Sequence, residues 1–172
     1  MEEAGYTFTC VSSDFDESSV SAADPHDLPA LLAYHKALAA AGQAARDELV
    51  IGSDTVVLLD GRVLGKPRDA HEAREMLASL SGATHEVVTG VAVLRNGNAV
   101  CRFSETARVT FWDLLPEEID AYVASGEPMD KAGAYGIQGR GRLLVRGIEG
   151  DFYTVMGLPI SRLYRELRKL GA

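Results

Sequence analysis

Two dipeptides, Asp60-Gly61 and Asn96-Gly97, each stand between long β-prone runs, and they constrain the fold more than any other feature of the chain. A two-residue hairpin turn needs positive φ at both central positions, which Asp-Gly and Asn-Gly tolerate. Leu49–Leu59 and Arg62–Leu64 therefore read as one antiparallel hairpin, and residues 86–94 with 99–111 as a second.

Around the hairpins the hydrophobic period becomes helical. Residues 28–45 are rich in Ala and Leu around Lys36, with Asp27 placed to cap and Pro29 in the first turn, which predicts a helix. Asp69 caps a second predicted helix through Leu80; its Ala73, Met76, Leu77 and Leu80 share one face, and Ser81-Gly82 stops it. Pro116 opens a short helix over residues 117–124. Ile160, Leu163, Tyr164, Leu167 and Leu170 line the apolar face of a C-terminal helix, with Arg162, Arg165, Arg168 and Lys169 turned to solvent. Strands are also expected over residues 6–11 and 143–148, and a Ser- and Asp-rich loop over residues 12–25. Helices interleaved with hairpins imply an α/β or α+β domain with a mixed sheet. Neither an internal repeat nor a Pro- or Ser-rich linker divides the chain, so residues 1–172 read as a single domain.

At 172 residues, 47% hydrophobic and 24% charged, the chain can bury a core of its own. No apolar run approaches the roughly 20 residues of a membrane span. The start, Met1-Glu2-Glu3-Ala4, lacks the basic and apolar regions of a secretory signal. A net charge of −8 argues against a general nucleic-acid binder, whose surface is basic. It leaves room for a small phosphorylated ligand, met by a few cations and a divalent metal. Cys10 and Cys101 form no metal or redox pattern and read as reduced packing residues of a cytoplasmic protein. The 4 histidines lack zinc spacing and read as surface or core residues. Pro67 after Gly65-Lys66 excludes a P-loop, and neither a dinucleotide fingerprint nor a Gly-x-Ser-x-Gly elbow occurs.

Asp54 does not fit its surroundings. It lies between Leu49-Val50-Ile51 and Val56-Val57-Leu58-Leu59, where an unpaired carboxylate would cost several kcal/mol, roughly. The Asp60-Gly61 turn returns the chain to Lys66, so an acid and a base flank one hairpin. Strict alternation sets Thr55 opposite Lys66 and turns Asp54 to the other face, unless Gly65 or Pro67 breaks the ladder. Glu17 ends an acidic loop cluster, Asp14-Phe15-Asp16-Glu17, that suits a hard cation or plain solvation. Lys36 stands mid-helix, as a surface lysine would, and Gln138 lies among Gly133, Gly136 and Gly139, a stretch that suits either a mobile connector or a loop whose backbone approaches a ligand and whose amide reads a base edge.

Taken together, Ser53-Asp54-Thr55-Val56-Val57, Gly65-Lys66-Pro67-Arg68-Asp69, Leu80-Ser81-Gly82-x-x-His85, Val88-Thr89-Gly90-Val91 and Asp130-Lys131-Ala132-Gly133-Ala134-Tyr135-Gly136-Ile137-Gln138-Gly139 resemble the Maf family of nucleoside triphosphate pyrophosphatases. The stretch from Ala132 to Gly139 is similar to the branch that favours dTTP and UTP over 7-methyl-GTP. The resemblance implies an ITPase-like fold, an elongated mixed sheet with flanking helices in two lobes around a nucleotide cleft. It implies hydrolysis of the α–β phosphoanhydride to a monophosphate and pyrophosphate with Mg²⁺ or Mn²⁺. Asp54 would be the proton acceptor, Glu17 and Asp54 the metal carboxylates, and Lys36 and Lys66 the triphosphate clamps. Thr55 and Gln138 would govern substrate choice. A cytoplasmic, house-cleaning homodimer that contacts neither nucleic acid nor membrane is expected. The family's N-terminal strand and Ser-x-Ser-Pro-Arg-Arg segment have no counterpart in these residues, so the chain is expected to start inside the family's domain. That gap motivates two alternatives: a nucleotide-binding or septum-formation regulator without turnover, and a fragment that does not fold stably.

Overall fold

The computed structural model describes Met1 to Ala172, apart from the side chain of Glu3. Both turn dipeptides form the expected hairpins. Strand β1 (Leu49–Leu59) pairs antiparallel with β2 (Arg62–Leu64) through Leu59 to Arg62, Leu58 to Val63 and Val57 to Leu64. Asp60 and Gly61 take φ of 50° and 76° at the turn. Strands β3 (Thr84–Arg95) and β4 (Asn98–Phe111) follow one another through Asn96 and Gly97, at φ 52° and 76°. Strand β5 (Val145–Glu149) pairs antiparallel with β4, and the sheet order is β2-β1-β3-β4-β5. With helices flanking the sheet, the α/β class stands.

Helix α1 (Leu28–Ala40) is shorter than the composition of residues 28–45 implies. A single 3-10 turn over Ala41–Gln43 replaces its last part, and Ala44 is extended. Gly42 lies in that turn, where a helix loses backbone entropy and gains no side-chain contact. Helix α2 (Ala70–Leu80) begins as read: the Asp69 carboxylate accepts the Glu72 N–H at 2.9 Å. Helices α3 (Pro116–Val123) and α5 (Ile160–Lys169) also follow the sequence. Helix α4 (Phe152–Val155), capped by Asp151, is too short to leave a periodic signal.

Two expected strands differ. Residues 6–11 form no strand: Thr7 to Val11 are exposed, so the alternation buries no face, and pairing there has no hydrophobic support. Only Tyr6 packs on a core, and Cys10 is exposed rather than a packing residue. Strand β5 starts at Val145 because Arg140–Leu143 close a 3-10 turn instead. The Arg142 guanidinium bonds back to the Gly139 carbonyl at 2.7 Å and to that of Gln138.

The chain divides into two compact units. The first comprises Met1–Asp54, Thr89–Glu105 and Gly157–Ala172, the second Thr55–Val88 and Thr106–Met156. In the first, β3 buries both faces by its period of two. Val91 and Val93 meet Leu163 and Leu167 of α5, while Ala92 and Leu94 meet Ala33 and Ala37 of α1. The second unit has its own core, built on Val57, Leu77, Leu80, Val87, Val109, Phe111, Tyr122 and Tyr135. Among the described residues no helix is long and apolar enough to cross a membrane.

Candidate active site

In the first unit, two glycines decide where α1 rests. A Cβ on Gly52 of β1 would fall 2.1 Å from the Ala33 carbonyl oxygen, and one on Gly90 of β3 would fall 2.1 Å from the Ala30 nitrogen. The helix backbone therefore lies directly on the sheet at both points. Gly52 and Asp54 point to the same face of β1, two residues apart, so seating α1 on Gly52 brings Lys36 over Asp54.

The Lys36 ammonium bonds to the Asp54 carboxylate and lies 2.8 Å from Glu17 Oε1. Asp54 is 9% exposed, so this pairing offsets the desolvation anticipated for a carboxylate in an apolar strand. Burial alone would pull the Lys36 ammonium down; the bonds from Asp54 and Glu17 outweigh it and hold the group above its ordinary range. Glu17 opens a 3-10 turn capped by Asp16, and the preceding Phe15 ring stacks on His35 at 5.2 Å, next to Lys36 in sequence. Ser53 points the other way, donating to the Gly157 carbonyl at 2.6 Å and the Gly90 carbonyl at 3.2 Å. Lys36 and Ser53 also line an open groove of about 940 Å³, walled by Tyr6 to Val11, Ala37, Ala40 and Leu49 to Gly52.

The second unit holds Thr55, Lys66 and Gln138. The ladder between β1 and β2 ends at the pair of Val57 with Leu64, two steps before the pairing that would oppose Thr55 to Lys66. Lys66 is thus free of the alternation that a continued strand would impose. The Gly133 N–H instead donates to the Gly65 carbonyl at 3.0 Å, tying the glycine-rich loop to the residue before Lys66. Gly133 takes φ 67°, and a Cβ there would meet Val57 at 3.0 Å, so glycine serves both the turn and the close approach. Lys131, and more weakly Lys66, hold the Asp130 carboxyl below its usual range. Gln138 is exposed between buried Ile137 and half-buried Gly139.

A profile of the Maf-like protein family matches residues 1–170. The chain is 51% identical over 171 residues to a dTTP/UTP pyrophosphatase of Bacillus cereus (strain AH820), covering 99% of this chain and 88% of that protein. It is likewise 51% identical, over the same shares, to one of Bacillus anthracis. A third, from Bacillus cytotoxicus, is 50% identical over 172 residues, covering 100% of this chain and 89% of its own. The chain belongs to the Maf family.

Several family motifs of this Maf chain now have a physical reading. Gly90 of Val88-Thr89-Gly90-Val91 is the point where α1 lies on β3. His85 is 2% exposed, with Nε2 2.8 Å from the Tyr135 hydroxyl and edge contacts to the Phe111 and Tyr135 rings. Its Nδ1 has no hydrogen-bond partner among the described residues. The residue joins α2's stop signal to the glycine-rich loop.

His85 sets an acid limit on stability. Burial pushes the imidazole down to about 4 from its ordinary 6.5. The unfolded chain therefore binds a proton between those values that the folded chain refuses, so stability is intact above pH 6.5 and falls as pH drops toward 4. The loss approaches about 3 kcal/mol. Thermal melts across that range should fall steeply for the wild type, and His85→Gln should flatten the slope; equal slopes would refute the assignment.

Glu17 and Asp54 supply hard carboxylate oxygens that already converge on one cation, the Lys36 ammonium. No group of three or more His, Cys, Asp or Glu suited to a metal occurs among the described residues. Two carboxylates fit a Mg²⁺-like ion that completes its shell with water and substrate phosphates. The sequence did not single out Glu127 and Tyr122, which bind the loop around Gln138. Glu127's backbone partners are 13 and 14 residues away, beyond any local pattern.

Proposed function

We propose that this Maf protein is a nucleoside triphosphate pyrophosphatase that hydrolyses dTTP and UTP to the nucleoside monophosphate and pyrophosphate. What carries the reading is the convergence of Glu17 and Asp54 on Lys36, in a chain half identical to proteins named for that activity. Asp54 takes the proton of a water molecule as its oxygen bonds to the α-phosphorus of the α–β anhydride. The bridging P–O bond breaks, and pyrophosphate leaves with the electron pair. Lys36 and Lys66 bind the triphosphate and neutralise charge that grows on the leaving group. Glu17 and Asp54 hold the divalent ion, which supplies Lewis-acid charge stabilisation when bound. Thr55 and Gln138 select the base; a Gln amide can pair with the N3–H and a carbonyl of uracil or thymine.

The net charge of −8 makes local cations necessary, because the protein's overall field repels a triphosphate. A cytoplasmic homodimer is the cellular form that goes with this activity. Purified protein with Mg²⁺ should release pyrophosphate from dTTP and UTP faster than from CTP or the purine triphosphates. Binding of UTP, seen as a rise in melting temperature, with pyrophosphate release at background would overturn the enzymatic reading.

A further inference from the structure

Gln138 is exposed, yet the backbone on both sides of it is bonded to one pair of side chains. Glu127 Oε2 accepts the Arg140 N–H at 2.8 Å, and Oε1 accepts the Gly141 N–H at 3.1 Å. The Tyr122 hydroxyl donates to Glu127 Oε1 at 3.0 Å and accepts the Gly136 N–H at 3.1 Å. Tyr122 is buried at the end of α3, and Glu127 opens the 3-10 turn that follows, so the pair is anchored away from the loop it holds.

The glycines match this wrapping. A Cβ on Gly139 would lie 2.1 Å from Glu127 Oε1, and one on Gly141 would lie 2.7 Å from the Tyr122 hydroxyl. A side chain at Gly139 would displace the Glu127 carboxylate, and one at Gly141 would also meet the Gly136 carbonyl oxygen at 2.6 Å, so either would disturb the contact between strap and pair. Between the bonded points, Ile137 is buried, which leaves Gln138 as the side chain presented outward. Burial alone would raise the Glu127 carboxyl, but the Arg140 and Gly141 N–H groups and the Tyr122 hydroxyl outweigh it and hold it below the ordinary range. Burial pushes the Tyr122 phenol far up, so it remains a protonated donor.

We propose that Glu127, acting with Tyr122, is a positioning residue for nucleobase selectivity: it fixes the strap from Gly136 to Gly141 so that Gln138 meets the base in one orientation. The proposal rests on the assignment of Gln138 to base selection. An amide discriminates between uracil and cytosine only if its donor and acceptor are held in place, since a free amide rotates to satisfy either edge. Glu127 spends its oxygens on the strap and works through Gln138.

The test compares kcat/KM for UTP with that for CTP, in the presence of Mg²⁺, for wild type, Glu127→Gln, Tyr122→Phe, Gln138→Ala and the double variant Glu127→Gln/Gln138→Ala. Glu127→Gln should lower the UTP-to-CTP ratio roughly tenfold, with the loss carried by KM for UTP. Tyr122→Phe should move the ratio in the same direction by less. The double variant should match Gln138→Ala alone, because both act on one contact. A Glu127→Gln protein that melts lower but keeps the wild-type ratio overturns the proposal, as does full additivity in the double variant. Should Glu127→Gln fail to fold, an unchanged ratio in Tyr122→Phe overturns it equally. A wild type that turns over no nucleotide defeats the proposed function itself, a separate outcome from turnover whose selectivity ignores Glu127.

Discussion

Replacing Asp54 with asparagine should lower kcat for UTP by about a hundred- to ten-thousand-fold, the range for removing a positioned general base. The substitution removes proton acceptance while keeping the side chain's shape and its contact with Lys36. Asparagine has nearly the same shape, and its amide oxygen can still accept from the Lys36 ammonium. Glu17, 2.8 Å from the same ammonium, keeps that cation paired. The melting temperature should therefore stay close to that of the wild type, and KM should change far less than kcat. If Asp54 served only to balance Lys36, the pattern would reverse, with a shifted melt, a raised KM and kcat within tenfold of wild type. Pyrophosphate release at saturating UTP, measured beside a thermal melt on the same sample, separates the two. The amide also weakens one of two carboxylate donors for a divalent ion, so the Mg²⁺ concentration for half-maximal rate should rise. Saturating Mg²⁺ will not restore kcat if the proton acceptor is what was lost.

Asp54 could be found in the sequence because its anomaly is local: a carboxylate in an apolar strand is costly wherever the rest of the chain goes. The hairpins were legible for the same reason, since Asp60-Gly61 and Asn96-Gly97 encode positive φ within two residues. What failed depended on distant partners. Residues 6–11 have strand composition, but a strand needs a face to bury, and only Tyr6 reaches a core. Helix α1 ends at Ala40 although Ala44 and Ala45 extend the helix-favouring composition beyond Gly42, because propensity is a weak prior against a glycine and a turn. The alternation that set Lys66 opposite Thr55 assumed a ladder that stops at Leu64. Lys36 looked like a surface lysine until Gly52 and Gly90 seated its helix. Glu127 carried no local signal at all, since its role exists only once the strap from Gly136 to Gly141 has come back around it.

Gly90→Ala should be the most damaging single substitution in the first unit. Its Cβ would lie 2.1 Å from the Ala30 nitrogen, 2.2 Å from the Pro29 carbonyl carbon and 2.5 Å from the Ala30 Cα. All three are backbone atoms, so no rotamer change relieves the clash; α1 must lift from β3 or the strand must bend. Overpacking against adjustable side chains costs roughly 1–3 kcal/mol, and a collision with rigid backbone belongs at or above the top of that range. For a chain of this size, about 3 kcal/mol corresponds to a fall in melting temperature of roughly 6–12 °C. Gly52→Ala meets the Ala33 carbonyl oxygen at 2.1 Å and should destabilise in the same way. The two differ in what they do to the candidate site. Gly52 lies two residues from Asp54 on the same face, so lifting α1 there draws Lys36 from Asp54 directly. Folded Gly52→Ala protein should therefore lose more turnover per degree of lost stability than Gly90→Ala, whose clash lies at the N-terminal end of α1, nearly two turns from Lys36. Melts with kcat measured well below each variant's transition would decide the matter. A Gly90→Ala protein melting within about 3 °C of wild type would mean that α1 does not rest on β3 as described.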